Sequence, residues 1–269
     1  MSETLEFDGG QKDYVNRPIQ QIILCTDDLA KFKKVERDLL MMLGHASNEM
    51  AALYRAACAA GMEARVDGDT NLRQVARAQA FLMVRLALSK MHELIQKTSE
   101  GEYKDILAAV YAEFAMAEQK ALDEVGRYMP LRCIRNCFGF HYDGSVIGGL
   151  GTTRLGKEKH ETHDFIISRK TVNTFFPLSE FFYQKAFASA LVKKATYEEF
   201  VTKIFLPFFE DSLGTICNFI HAVHCAMKAL SKSVGVDLEE ESRVVDTVAP
   251  FVPIDQARLP AFIAFRSEL

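Results

Sequence analysis

Apolar residues at Leu29, Phe32, Val35, Leu39, Leu43, Ala46, Met50, Leu53 and Ala57 recur at steps of three and four. That rhythm, sustained over about thirty positions, puts one apolar stripe along a single long helix and excludes a strand. Thr26-Asp27-Asp28 supplies capping side chains before it, and Gly61 stands where a helix can stop. After a polar break at 67–71 the rhythm returns with Leu72, Ala76, Ala80, Met83, Ala87, Met91 and Leu94. A third run passes through Tyr103, Leu107, Val110, Phe114, Ala117, Ala121, Val125 and Tyr128, and Pro130 stops it. A short helix from Leu131 to about Tyr142 is expected next. Long helices joined by short breaks suit an antiparallel bundle. The expected fold class is therefore all-α, with further C-terminal helices and an extended C-terminal arm.

Four segments follow from this reading. Residues 1–27 form an N-terminal tail, broken by Gly9-Gly10 and Pro18. Residues 28–143 form the bundle. Residues 144–168 are a glycine-rich connection, with a short extended stretch at Asp164–Ser168. Residues 169–269 return to helical spacing near Leu178 and end in an arm that carries Pro250, Pro253 and Pro260 and packs on the bundle. Pro207 is expected to kink or interrupt its helix.

A net charge of −4 argues against a uniformly basic nucleic-acid coat. No run of 18 apolar residues is present, so no membrane span is expected. The N-terminus opens acidic and polar, without a secretion signal. Six cysteines are then expected as reduced thiols in a cytoplasmic protein. Gly151 to Lys157 spells the start of a phosphate-binding loop, but Glu158 stands where magnesium binding needs Ser or Thr. Asp67, Asp69 and Asn71 imitate a calcium loop that Leu72 and Ala78 break. His160, Glu161 and His163 lack zinc-protease spacing.

Cys217, His221, His224 and Lys228 form one stripe on a predicted helix, with Cys225 beside it. Cys and His four apart can fill two positions on a metal, which makes Cys217, His221 and His224 the metal candidates. No second ligand pair matches them, and the plainer reading is a polar margin of a packed helix. No metal and no cofactor are expected.

One motif carries chemistry. In Arg135-Asn136-Cys137-Phe138-Gly139-Phe140-His141, an arginine followed by asparagine precedes a histidine by six positions. Arg85 to His92, seven positions apart, and Arg154 to His160, six apart, give similar Arg-to-His gaps, but Asn follows only Arg135. The segment resembles the signature of the HEPN superfamily, and its place after long helices is similar too. That resemblance implies metal-independent RNA cleavage of a toxin or defence type. The ribose 2′-OH attacks the adjacent phosphate and leaves a 2′,3′-cyclic phosphate. It also implies a homodimer with the site at its two-fold interface.

The residue types fit those roles. His141 titrates near neutrality and can move a proton. Arg135 stays charged and can grip phosphate oxygens with two parallel donors. Asn136 can orient the imidazole or bind a ribose hydroxyl. On an ideal α-helix, Arg135 and His141 stand about 120° apart with about 9 Å of rise, so they meet only if Gly139 loosens the helix or if two subunits supply them. The structural alternative pairs Arg135 with Asp143 or Asp123, lets His141 cap a helix end, and buries Phe138, Phe140 and Tyr142 as core. The functional alternative is a non-catalytic helical module that binds a protein or nucleotide partner. It rests on 20 Phe, 10 Met and the Pro-rich arm.

Overall fold

The computed structural model describes residues 15–22, 26–64, 70–139, 206–238 and 242–251. Helix dominates them. A short helix α1 (Thr26–Ala30) is followed by α2 (Lys34–Glu63), α3 (Thr70–Thr98), α4 (Gly101–Val110), α5 (Glu113–Gly126), α6 (Leu131–Cys133) and a π-helical turn (Ile134–Gly139). Helix α7 (Leu206–Ser233) completes the set. Strands β1 (Val15–Ile22) and β2 (Ser242–Phe251) pair antiparallel, with Val15 opposite Phe251 and Ile22 opposite Ser242.

Helices α2, α3, α4, α5 and α7 share one core. Leu39, Leu43 and Met50 of α2 are fully buried, as the three-and-four rhythm requires. On α3, buried residues include Val75, Ala76, Ala78, Ala80, Phe81, Val84, Ala87, Leu88, Met91, Leu94 and Ile95. They cover most of its circumference, so α3 is the central helix. Its many alanines let neighbours approach closely. The inner face of α7 carries Phe208, Ile216, Phe219, Val223, Ala226 and Leu230. Phe219 meets Phe114 of α5 with ring centroids 5.9 Å apart.

Several boundaries differ from the sequence reading. The first long helix is interrupted: α1 ends at Ala30, Phe32 turns into the core, and the Lys33 amide donates to Glu36 Oε2 (2.8 Å) to start α2. Gly61 does not stop α2, which runs to Glu63. A Cβ there would lie 3.2 Å from the Phe209 ring, so the glycine admits α7 instead. The third run is two helices, α4 and α5, broken at Tyr111-Ala112 without Gly or Pro. Phe114, buried just past that break, is the residue that meets Phe219. Pro207 falls in the first turn of α7, where the missing N–H needs no partner.

Two segments read as irregular carry strand. Val15–Ile22, assigned to the tail, and Ser242–Phe251, assigned to the arm, form the β ribbon. Pro18 sits beside a register irregularity between Pro18 and Ile19, as a residue without an N–H should. Helix α7 closes in a 6→1 and 5→2 hydrogen-bonded cap: Val236 N donates to Ser231 O and Gly235 N to Lys232 O. Gly235 takes φ +79°, and Val236 beyond it is buried. The glycine-rich connection, the stretch at Asp164–Ser168 and the helical spacing from Leu178 lie outside the described residues.

Candidate functional site

The turn that carries Arg135 is anchored by hydrocarbon. Helix α5 ends at Gly126, short of the expected stop at Pro130, which instead stands at the N-cap of α6, and Leu131 and Ile134, three apart, are both buried against the core. Each such side chain contributes roughly 1.5–3 kcal/mol on burial. That exceeds the contribution of any exposed ion pair nearby, so packing and not charge places the turn against α3. Three positions apart on the other side stand Arg132, exposed, and Arg135, 32% exposed.

Arg135 finds its partner on α3. Its Nε and Nη2 both donate to Oε1 of Glu93, at 3.4 and 3.2 Å. Its Nη1 donates to Oδ1 of Asn136 at 3.0 Å. Of the expected acidic neighbours, Asp123 instead accepts from Gln119 within α5, and Asp143 lies outside the described residues. Lys90 joins the same line, with Nζ 4.0 Å from Glu93 Oε2 and 3.2 Å from Glu49 Oε2. The sequence reading gives Asn136 to an imidazole or a ribose. In the structure its carbonyl oxygen holds the guanidinium.

The central helix carries a second set of polar groups. Arg85, Ser89 and His92, at steps of four and three, make one buried stripe on α3. The Arg85 guanidinium lies over the Phe81 ring, 4.7 Å from its centroid. The Ser89 hydroxyl donates back to the Arg85 carbonyl at 2.8 Å. His92 is 8% exposed, and neither of its ring nitrogens has a hydrogen-bond partner among the described residues. Burial, and then the Arg135 guanidinium, hold its imidazole below the ordinary value. Arg132 acts in the same direction and Glu93 against it. The structure thus brings the Arg135 guanidinium of the π turn onto the Glu93 carboxylate of α3, with the buried His92 next along that helix.

His92 and Glu93 escape a local reading. The signal that could have found His92 is the four-and-three spacing of Arg85, Ser89 and His92 along α3. His141 lies outside the described residues, as do Phe140, Tyr142 and Asp143. For Phe138 and Gly139 the backbone alone is described. The i→i+5 bonding of this turn is wider than the α-helical geometry assumed for the motif, and such turns are frequent at functional sites.

The metal candidates are distributed rather than gathered. His224 Nε2 lies 2.7 Å from Ser47 Oγ of α2. His221 Nε2 lies 3.6 Å from Cys225 Sγ one turn on. Cys217 approaches Tyr54 together with Cys58, and burial with these thiols pushes the Tyr54 hydroxyl up to about 12. Burial, followed by His221 and Lys228, lowers the His224 imidazole. Among the described residues no three His, Cys, Asp or Glu side chains are placed to hold one metal ion. No helix among them is long and apolar enough to cross a membrane.

No family model matches this chain, and neither a curated protein nor a solved structure does so.

Proposed function

We propose that this chain is a HEPN-like, metal-independent endoribonuclease of toxin or defence type, acting by 2′-OH attack to leave a 2′,3′-cyclic phosphate. Arg135, Asn136 and His141 are its assigned site residues. One observation supports this reading most. Arg135 is a third exposed on an anchored turn, with its guanidinium fork occupied by the displaceable Glu93 carboxylate and steadied by Asn136. A phosphate that displaces Glu93 meets two parallel donors, the arrangement that suits phosphate oxygens. Arg132 adds a second cation nearby. The proposal carries with it an antiparallel helical bundle, a homodimer that sets two copies of the site about one cleft, and a cytoplasmic setting.

Purified protein is expected to cut single-stranded RNA in EDTA and to leave cyclic phosphate ends. Arg135→Ala and His141→Ala should each abolish cutting. A His141→Ala protein that cuts like wild type removes His141 from the site. A wild-type protein inert in EDTA overturns the nuclease reading and leaves a helical binding module.

A further inference from the structure

We infer that Lys90 is the second cation of the Arg135 site, so that Lys90 and Arg135 grip one RNA phosphodiester between them once the Glu93 carboxylate that they share moves aside. This rests on the nuclease reading above and adds a substrate-binding residue that the Arg135–His141 motif does not contain.

The arrangement starts on α3. Lys90 and Glu93 stand three positions apart and so share a face of that helix. Arg135 reaches Glu93 from the π turn and takes Oε1, with Nη2 at 3.2 Å and Nε at 3.4 Å. Lys90 Nζ lies 4.0 Å from the other oxygen, Oε2. Two cations from different elements thus approach one carboxylate, one at each oxygen. Glu49 of α2 also holds the Lys90 ammonium, with Oε2 at 3.2 Å. The four side chains are between 29% and 37% exposed, so an anion reaches them from solvent without any helix opening.

The ligand class follows from that seat. The two non-bridging oxygens of a phosphodiester are spaced much like those of a carboxylate. A phosphate in place of Glu93 gives one oxygen to the Arg135 fork and the other to Lys90. The guanidinium supplies the planar, directional grip and the ammonium a compact point charge. Glu93 is held by partly exposed pairs, which are weak, and its flexible side chain can turn into solvent. Glu49 keeps its hold on Lys90 through that exchange and fixes the ammonium beside the vacated seat. Two cations then face the one carboxylate of Glu49. That supplies locally the positive charge that a chain of net charge −4 lacks overall.

The test reads binding of a labelled 2′-O-methyl oligonucleotide by fluorescence anisotropy, apart from cutting. Lys90→Gln is expected to bind roughly ten- to hundredfold more weakly at low salt, the value of one hydrogen bond to a charged group. Its log-log salt slope should be shallower by about 0.7. Lys90→Arg, which keeps the charge, should recover most of the affinity. Lys120→Gln removes an exposed ammonium paired with Glu124 on α5, controls for net charge, and should change neither quantity. If Lys90→Gln binds like wild type while Arg135→Ala does not, or if Lys120→Gln loses as much, the inference fails and the nuclease reading stands. Wild type that binds without cutting in EDTA overturns the nuclease reading, and the Lys90 comparison still decides the shared grip. Wild type that does not bind overturns the inference. If Lys90→Gln melts lower than wild type, protection replaces it. Bound oligonucleotide should shield Lys90 of the wild-type protein from acetylation by an activated ester, read by peptide mass spectrometry, and equal labelling with and without it overturns the inference.

Discussion

Replacing Glu93 by Gln should tighten RNA binding while leaving the fold almost untouched. Glu93 takes both donors from Arg135 on one oxygen, and its side chain is 37% exposed. Exposed pairs of this kind contribute about 0.2–1 kcal/mol, so folding should lose less than about 1 kcal/mol. Gln keeps an oxygen for the guanidinium, which makes the loss smaller still. On the binding side the sign reverses. A phosphate sharing Arg135 would come within roughly 6 Å of the Glu93 carboxylate, and at an effective dielectric between about 20 and 80 the repulsion is about 0.7–3 kcal/mol. Removing it corresponds to roughly a threefold to hundredfold gain in affinity at low salt. The log-log salt slope should steepen by up to about 0.7, the contribution of one further phosphate contact on a single strand. Fluorescence anisotropy of a labelled 2′-O-methyl oligonucleotide between 50 and 200 mM salt (roughly the range over which such slopes are read) measures both quantities. Unchanged or weaker binding by Glu93→Gln would refute the idea that Arg135 is a phosphate fork masked by its carboxylate. A gain that did not fade with salt would refute the electrostatic origin.

Two further outcomes test the scaffold. Glu118 is buried on α5, where it accepts the Thr98 hydroxyl; burial pushes its carboxyl up, against smaller opposite effects from Thr98 and Lys104. The folded state therefore keeps a proton that the unfolded chain has released, and stability falls as pH rises from the ordinary carboxylate value through the raised one. Urea midpoints across that window should decline for wild type and stay level for Glu118→Gln, and parallel curves would show that burial does not govern this group. Gly235→Ala forces a side chain into left-handed backbone and should destabilise by about 1–2 kcal/mol, read as a lower urea midpoint with unchanged slope. No change would mean that the α7 cap relaxes freely.

The helices were legible where burial follows a local rhythm. Leu39, Leu43 and Met50 lie on the stripe that their spacing describes. The breaks at Phe32 and Tyr111 were not legible, because no Gly or Pro marks them. They exist to turn Phe32 and Phe114 into a core built by other helices. Strand β1 was hidden by Pro18 and by polar residues, and its partner lies far along the chain. The same distance hid the site. Arg135 stood out through its asparagine neighbour, but its carboxylate, Glu93, is 42 positions away. Lys90 acquires meaning only when the π turn packs on α3, and a pattern within seven residues holds no record of that contact.

The β ribbon imposes an order on synthesis. Ile22 and Ser242 are neighbours across it, so β1 emerges roughly 220 residues before its mate. At the usual pace of about 5–20 residues per second, that leaves an open hydrogen-bonding edge waiting for roughly ten to forty-five seconds on every ribosome. An edge of that kind invites pairing with whatever nascent chain lies alongside. Pro18 and the charged Arg17 are residue types that discourage such pairing, so the poor strand character of this segment suits a strand that must wait.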